Sequence, residues 1–235
     1  MEDKKIIAFG TCRERFAYWE HVDSVHAAQV YLAVHGISYA NIFEYPTYIH
    51  IGRERIKNTF LEAKAKPSHL LYVDSDNVLP ESVAYQLLQR NLPIVSALYF
   101  KRTGAPEAVA LDFVDENRTK ARSVSQKIRE FYIDNKVDIF DGPVSLELNV
   151  DPLMKVDAVG FGCVLIARTV LEHMEEAYPG TIFGGDDPSV GEDILFCRRA
   201  KDLGYDTYVD LSQIVGHLGK HVVSAVDFMH VDIWK

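Results

Sequence analysis

The sequence contains few cysteines, and none of them lie close together. Its 235 residues include Cys12, Cys163 and Cys197 and no other cysteine. An odd number of widely spaced cysteines provides neither a disulfide framework nor the close pairs of a zinc or redox site. We therefore interpret all three as free thiols in a reducing compartment and expect a cytoplasmic protein.

Long apolar runs are also missing. No stretch approaches the roughly 20 apolar residues of a membrane-spanning helix. The charged residues 1–5 lead directly into a short apolar strand, without the apolar segment of a signal peptide. We expect no transmembrane segment, while peripheral membrane association stays open.

Positive charge is in the minority. The chain has 25 lysines and arginines against 34 aspartates and glutamates, a formal net charge of −9. Nucleic-acid binding depends largely on phosphate contacts with a basic surface. We therefore expect no nucleic-acid partner, although a local basic pocket for one diphosphate is compatible with this composition.

The sequence does have enough apolar residues for a core, 48% of the total, and a regular alternation of patterns. Helical spacing of apolar residues separates short apolar runs that predict strands at 6–10, 39–43, 70–73 and 93–100. This order predicts an α/β fold, with a mostly parallel central sheet flanked by helices. We expect one domain spanning residues 1–235.

The remainder of the chain is less regular. Residues 112–135 are polar and predict an insertion that is helical around 125–132. Strict alternation at 144–150 predicts a half-buried strand, and hence a small antiparallel portion. Residues 156–168 form an apolar stretch whose two glycines indicate either close approach of a ligand or tight packing. A capping box at Thr169 predicts the start of the next helix.

Two carboxylates follow the buried strand at 70–73. Asp74 and Asp76 are one residue apart where this strand leaves the sheet, which is where ligands bind in open α/β folds. Hard cations such as Mg²⁺ prefer carboxylate oxygens together with substrate phosphates. The alternative is an ordinary turn, because Asp and Ser are common turn formers.

Basic residues follow two other predicted strands. Arg13 and Arg15 lie at the corner after the first strand, and Lys101 and Arg102 form a basic turn after the strand at 93–100. Such corners commonly contact phosphates or nucleotides. Solvated surface charges explain Arg13 or Arg15 alone at least equally well.

The helix before Asp74 carries Arg55 and Asn58, which are three residues apart and so share a face. Because this helix leads into the acidic strand, its polar face could look toward the same site. Exposed helical charges are the alternative interpretation.

The C-terminal third contains a second acidic element. Gly191-Glu192-Asp193 opens a predicted helix that ends near Gly204, and acids in a first turn also favour the helix dipole. Further on, His217 lies between two glycines and could be a turn residue or a metal ligand.

Together these features occur in an order that resembles the GT-A-fold glycosyltransferases, especially the broad family-2-like group. The most specific part is the block from Gly191 to Tyr205, followed by Val209-Asp210 and by Gly216-His217-Leu218-Gly219. The resemblance covers nearly the whole chain and is weakest at 112–150. It implies a Rossmann-like fold and a soluble enzyme that makes single transfers.

The resemblance implies that about 1–104 binds a nucleotide-sugar donor, such as a UDP- or GDP-sugar. About 105–235 would then bind the acceptor, a hydroxyl of a glycan, a lipid or another molecule, and carry catalysis. The transfer would be inverting, although some proteins with this fold retain configuration.

The resemblance also implies roles for the acidic residues. Asp74, Asp76 and His217 would hold a divalent metal, Mn²⁺ or Mg²⁺, and Asp74 would help to place the donor ribose. The metal would stabilise the charge of the departing diphosphate. Asp193 would be the general base, and Glu192 would contact donor or acceptor hydroxyls.

The basic and polar residues would act on the donor. Arg15, Arg55 and Asn58 would contact the nucleotide or the donor sugar, and Lys101 and Arg102 would offset diphosphate charge.

Two other functions fit the sequence less well. A sugar-1-phosphate nucleotidyltransferase would have a glycine-rich phosphate loop after the first strand, whereas Gly10-Thr11-Cys12-Arg13 has one glycine. A non-catalytic nucleotide- or glycan-binding module would have lost some of the acids or the histidine, and all are present.

Overall fold

The computed structural model describes residues 5–13, 18–45, 48–102, 105–118, 120–138, 141–184, 190–219 and 222–229. The first half contains β1 (Ile6–Cys12), α1 (Trp19–Val34), β2 (Ser38–Glu44), α2 (Ile49–Glu62), β3 (His69–Val73), β4 (Asn77–Val78), α3 (Val83–Gln89), β5 (Ile94–Leu98), β6 (Ala110–Phe113) and β7 (Ala121–Ser123). The second half contains α4 (Ser125–Asp134), β8 (Val144–Ser145), β9 (Leu153–Val156), β10 (Ala158–Val159), β11 (Cys163–Ala167), α5 (Arg168–Ala177), α6 (Glu192–Asp202), β12 (Thr207–Ile214), β13 (Gly216–Leu218), β14 (Val222–Val223) and α7 (Ala225–Met229).

The central sheet has eight strands in the order β2-β1-β3-β11-β5-β12-β8, with β9 also paired to β12. Strands β1, β2, β3, β5 and β12 share one direction, because β11 is antiparallel to both β3 and β5. The predicted α/β class and mostly parallel sheet are therefore confirmed. The antiparallel direction of β11 was not predicted, because an apolar run carries no information about strand direction.

The core lies on both faces of this sheet. In β3, Leu70 and Tyr72 pack into the cluster that α2, α5 and α6 cover, and Leu71 and Val73 pack into the cluster that α1 and α3 cover. Each side chain buried in this way stabilises the fold by about 1.5–3 kcal/mol. The strand that leads into the two aspartates is thus fixed from both sides.

Several predicted boundaries are confirmed. Backbone φ angles of +76° at Gly36 and +85° at Gly204 follow the ends of α1 and α6, as expected of glycines after helices. Helix α4 covers the helical part of the predicted insertion, and the rest of that segment forms the antiparallel pair β6–β7.

Two local predictions are wrong. The strand expected at 144–150 is limited to β8, because β9 pairs with Thr207–Asp210 of β12 and leaves the end at Gln213–Ile214 for β8. Helix α5 begins at Arg168 without a side-chain cap, so the predicted capping box does not form. Instead the Arg168 guanidinium donates to the carbonyl oxygens of Phe60 and Pro67.

The three cysteines are free, as predicted, and the structure buries all of them. Burial raises the pKa of each thiol to about 12, which makes them poor nucleophiles at neutral pH. In the described ranges, no helix is long and apolar enough to cross a membrane.

The glycines before β11 allow close packing. A Cβ on Gly162 would lie 2.3 Å from Asn77 Nδ2 and 2.6 Å from Tyr99 Cζ, whereas one on Gly184 would meet no atom within 4 Å.

We expect Gly162→Ala to lower the free energy of unfolding by about 1–3 kcal/mol because it overpacks this contact. Urea denaturation, with Gly184→Ala as the control, measures the difference; equal stability of the two variants would contradict it.

His69, at the start of β3, should make stability depend on pH. Burial, together with repulsion from Lys5, lowers its pKa to about 4, against about 6.5 in an unfolded chain. The folded state therefore binds fewer protons between these values, and stability falls as the pH decreases through this range.

We expect the unfolding free energy of the wild type to fall by about 1–3 kcal/mol more than that of His69→Gln between pH 7 and 4. Urea denaturation at both pH values measures this, because the difference between the two proteins removes the contributions of other groups. Identical pH profiles would show that His69 titrates normally in the folded protein.

Candidate active site

The turn between β3 and β4 presents Asp74 and Asp76 at the carboxyl edge of the sheet. Backbone hydrogen bonds hold this turn: Asp74 N–H donates to the Gly162 carbonyl at 3.2 Å, and Leu218 N–H donates to the Asp76 carbonyl at 2.7 Å. The Asp74 and Asp76 side chains keep 32% and 19% of their surface exposed. The backbone of the turn is therefore fixed, while both carboxylates can reach a ligand.

Asp76 forms a cluster with His217 and Arg102. The Asp76 Oδ2 atom lies 3.4 Å from His217 Nε2 and accepts a hydrogen bond from Arg102 Nη1. His217 is the central residue of β13 and not a turn residue, and the pairing of β13 with β4 places it opposite Asn77. Two of the three predicted metal ligands are thus side by side.

The hydrogen bond of the second ring nitrogen orients His217. Its Nδ1–H donates to the Phe100 carbonyl at 2.8 Å, so the Nε2 atom faces Asp76. Histidines that bind metals are commonly held in this way. Burial opposes the charged imidazole, but the bonds to Asp76 and Phe100 outweigh it and raise the pKa of His217. Burial likewise opposes the Asp76 carboxylate, but His217 and Arg102 lower its pKa.

Asp74 is bound to an arginine that the sequence analysis did not assign to the site. The buried guanidinium of Arg53 donates from Nη2 to both Asp74 oxygens, at 3.0 and 3.3 Å, and from Nη1 to Glu192 Oε1 at 2.5 Å. Burial opposes the charge of Arg53, but the two carboxylates raise its pKa. Burial raises the pKa of Asp74, with Arg53 acting in the opposite direction. Arg53 therefore joins the acidic turn to the start of α6.

Asp193 lies in the first turn of α6, next to this bridge. Gly191 precedes the helix, as predicted, and Asp193 Oδ1 accepts a hydrogen bond from Ile194 N–H at 2.8 Å. Burial raises the pKa of Asp193, and Arg53 partly offsets this effect. A carboxylate with a raised pKa is a better proton acceptor, so Asp193 suits general-base chemistry.

Arg55 and Asn58 lie on the exposed face of α2, away from Arg53. The Arg55 side chain is 60% exposed and its Nη1 lies 3.8 Å from Glu44 Oε2. Residues two apart on a helix do not share a face, so Arg53 and Arg55 point in different directions. The polar residue that α2 turns toward the acids is thus Arg53, and the donor roles of Arg55 and Asn58 stay predictions.

The other predicted basic residues differ in position. Arg102 contacts Asp76, whereas Lys101 Nζ lies 2.8 Å from Glu107 Oε2 in an exposed pair. Arg15 lies outside the described residues.

Divalent metals suit the Asp76–His217 pair, because they combine carboxylate oxygen and imidazole nitrogen with phosphate oxygens. Among the described residues, no group of three or more metal-ligating side chains comes together. Both oxygens of Asp74 already accept from Arg53, and Asp74 does not form such a group with the pair. The residues therefore fit a metal with two firm protein ligands better than one with three.

A cavity of about 210 Å³ opens beside β1, α1 and β2. It is lined by Thr11, Arg13, His21, Val22, Val25, His26, Gln29, Asn41 and Phe43. The Arg13 guanidinium lies 3.4 Å from the centre of the Phe43 ring, and Gln29 Nε2 donates to Asn41 Oδ1 at 2.7 Å. His21 Nδ1–H donates to the Asn77 carbonyl at 2.9 Å, which links the cavity wall to the acidic turn.

Of these residues, the sequence analysis had selected only Arg13. His21, Gln29 and Asn41 are separated in sequence and follow no motif, and only the packing of α1 on β2 brings them together. A larger cavity of about 340 Å³ lies beside β8, at the other end of the sheet, and is lined by residues 135–138 and 144–150.

No protein-family model matches the sequence, and no curated protein matches it significantly. Among solved structures, A197 from STIV matches with a TM-score of 0.56 and 17% identity, over 95% of this chain and 91% of that chain. At this identity the similarity shows the fold alone.

Glycosyltransferase structures match at lower scores. The catalytic domain of Drosophila beta1,4-galactosyltransferase 7 in complex with xylobiose has a TM-score of 0.48 and 13% identity, over 92% of this chain and 71% of that chain. A glycosyltransferase involved in the glycosylation of the major capsid of PBCV-1 has a TM-score of 0.34 and 11% identity, over 72% and 63% of the two chains. Similarity at these scores does not extend to function.

Arg53 should be essential for stability, whereas Arg55 should not. Arg53→Met leaves Asp74 and Glu192 without their shared cation, and breaking a buried ion pair from one side costs about 3–5 kcal/mol. Arg55→Met removes an exposed charge and should change the free energy of unfolding by less than about 0.5 kcal/mol. Urea denaturation of both variants tests this, and similar stabilities would show that Arg53 does not bridge the two acids.

Proposed function

We propose that this chain is a metal-dependent glycosyltransferase, which moves a sugar from a nucleotide-diphosphate sugar to an acceptor hydroxyl. The observation that carries the proposal is the meeting of three groups at one edge of the sheet: the Asp76–His217 pair, the half-buried Asp193 carboxylate, and the cavity that His21 links to the acidic turn. Ligands in open α/β sheets bind at this edge.

Asp76 and His217 would hold the divalent metal, Mn²⁺ or Mg²⁺. When bound, the metal stabilises negative charge on the departing diphosphate. Asp74, held by Arg53, would then contact the donor ribose or complete the metal site. Arg102 contacts Asp76 and could pair there with phosphate oxygens, and Lys101, which pairs with Glu107, is the second candidate for such a contact.

The cavity beside α1 would hold the nucleotide base. Because Gln29 donates to Asn41, the Gln29 Oε1 atom can still accept a hydrogen bond and the Asn41 amide can still donate one. Uracil and guanine each carry an N–H group next to a carbonyl, which matches this pair. The donor would therefore be a UDP- or GDP-sugar, and Arg13, stacked on Phe43, would line one side of the base site.

Asp193 would act as the general base of an inverting transfer. The acceptor oxygen would form a bond to the anomeric carbon and lose its proton to Asp193. At the same time, the bond from that carbon to the diphosphate oxygen would break, and its electron pair would leave with the diphosphate. Glu192, oriented by Arg53, would bind a donor or acceptor hydroxyl.

The remaining assignments belong to the same proposal. Residues 1–104 would form the donor half and 105–235 the acceptor and catalytic half, with a glycan, lipid or other hydroxyl as acceptor. Arg15, Arg55 and Asn58 are further candidates for donor contacts. The family-2-like group is the proposed affiliation.

The proposal predicts metal-dependent nucleotide binding. Titration calorimetry with UDP and GDP, with CDP and ADP as comparisons, should show binding in Mn²⁺ that a chelator abolishes. Asp76→Asn should lose this metal dependence, and the control Asp206→Asn, an exposed acid paired with Lys155, should keep it. If the affinity for UDP and the affinity for GDP are each the same with and without the chelator, the metal site is refuted.

Catalysis is tested on the same samples with UDP- and GDP-sugars. Asp193→Asn should reduce release of nucleoside diphosphate about 100- to 10,000-fold, with nucleotide affinity nearly unchanged. Near-normal turnover would exclude Asp193 as the base, and loss of nucleotide binding would place this carboxylate in the donor site. Release of pyrophosphate instead would identify a nucleotidyltransferase, and binding without turnover a binding module.

A further inference from the structure

Strand β2 lies at one edge of the central sheet. It pairs with β1 without a bulge from Ser38 to Glu44, and in the described part of the chain no strand pairs with its other side. Sheet edges in monomers are usually short, bulged, or protected by lysine or proline. β2 has seven residues, and its one charged residue, Glu44, lies at its end.

Helix α1 adds an apolar surface beside this edge. Gln29 on α1 donates to Asn41 on β2, and the exposed residues near Gln29 on the outer side of the helix are Val22, Val30 and Ala33, together with Asp23 and His26. Apolar residues occur on every face of α1, which is typical of a helix that is covered on all sides. The sequence of α1 contains no lysine or arginine, so an anionic membrane or a nucleic acid is a poor partner.

The sequence of β2 matches a second copy of itself. On either side of Asn41 lie Ala40 and Ile42, and then Tyr39 and Phe43. In an antiparallel pair centred on Asn41, aromatic residues face aromatic residues and aliphatic residues face aliphatic residues, which are favourable cross-strand pairs.

Charge is compatible with the same arrangement. Glu44 of one copy would face Ser38 of the other, so the two Glu44 carboxylates would lie at opposite ends of the pair, roughly 20 Å apart. A two-fold axis through Asn41 also brings the two α1 helices to the same side of the joined sheets. We propose that this chain forms a symmetric dimer through β2 and α1.

The size of the surface indicates a moderate affinity. A strand of seven residues and a helix of 16 residues are each about 24 Å long. Together they present a face about 20 Å wide, so two copies would bury about 1,000 Å², at the lower end of specific interfaces. Dimer and monomer should therefore exchange at micromolar concentrations.

Sedimentation velocity between about 1 and 100 µM tests the dimer. The wild type should shift from 26.6 kDa to twice that mass. Ala40→Lys places charge at the centre of the interface and should weaken association at least about tenfold. The matched control is Ala121→Lys, an exposed alanine on the edge strand β7, which should associate like the wild type.

Circular dichroism confirms that both variants are folded, so a lost dimer is distinguished from a lost fold. A wild type that stays monomeric at every concentration would overturn the proposal, as would undiminished association of Ala40→Lys.

The register is tested by oxidation of the double variant Ser38→Cys/Glu44→Cys, whose new thiols face each other only across the proposed two-fold axis. The double variant should form a covalent dimer and each single variant should not. Covalent dimers from a single variant alone would overturn the antiparallel pairing centred on Asn41. The three native cysteines are buried and should not interfere.

Discussion

The candidate site depends on one buried cation. Asp74 and Glu192 come from elements more than 100 residues apart, and their negative charges would repel each other without Arg53 between them. A buried guanidinium with two carboxylate partners is stable only if both remain in place, because each unpaired charge would be costly in the interior. The depth of Arg53 in turn depends on the close approach of α2 to β1, where a Cβ on Gly10 would lie 2.6 Å from Ile56 Cγ2.

The two aspartates differ in how firmly their positively charged partners are held: Asp74 pairs with the buried Arg53, and Asp76 with the more exposed Arg102 and with His217. Arg53 is 5% exposed in its side chain and bound on both sides, so its contact with Asp74 joins α2 to the turn after β3. Arg102 is 43% exposed and His217 can release its proton, so Asp76 can change partners. A metal that replaces the proton on His217 would neutralise Asp76 without disturbing the buried bridge. Asp74 and Asp76 are one residue apart in sequence but have different partners, so they need not bind the same ligand.

The sequence was sufficient for the parallel strands of the sheet and for the positions of the acids, but not for the direction of β11 or for the partners of the acids. The apolar run before Asp74 and the Gly-Glu-Asp start of α6 are local signals, and the structure has both elements where they predict them. On α2, by contrast, the buried face includes Arg53 and Lys57 as well as Ile56 and Phe60. An apolar stripe therefore does not reveal which charged residues lie beside it, since acids from distant elements decide whether a cation can be buried.

Helix α2 also supports the site through Lys57. Its fully buried ammonium group pairs with Glu175 on α5 and lies 2.7 Å from Glu54 Oε1. Glu54 Oε2 accepts a hydrogen bond from Phe183 N–H at 3.1 Å, and Arg199 on α6 donates to the carbonyls of residues 181, 182 and 184. Residues 181–184 are thus held by α2 as well as by α6. Arg53 holds Glu192, and Glu54, paired with Lys57, holds Phe183. The position of Asp193 therefore depends on how α2 packs on β1 as well as on its own helix.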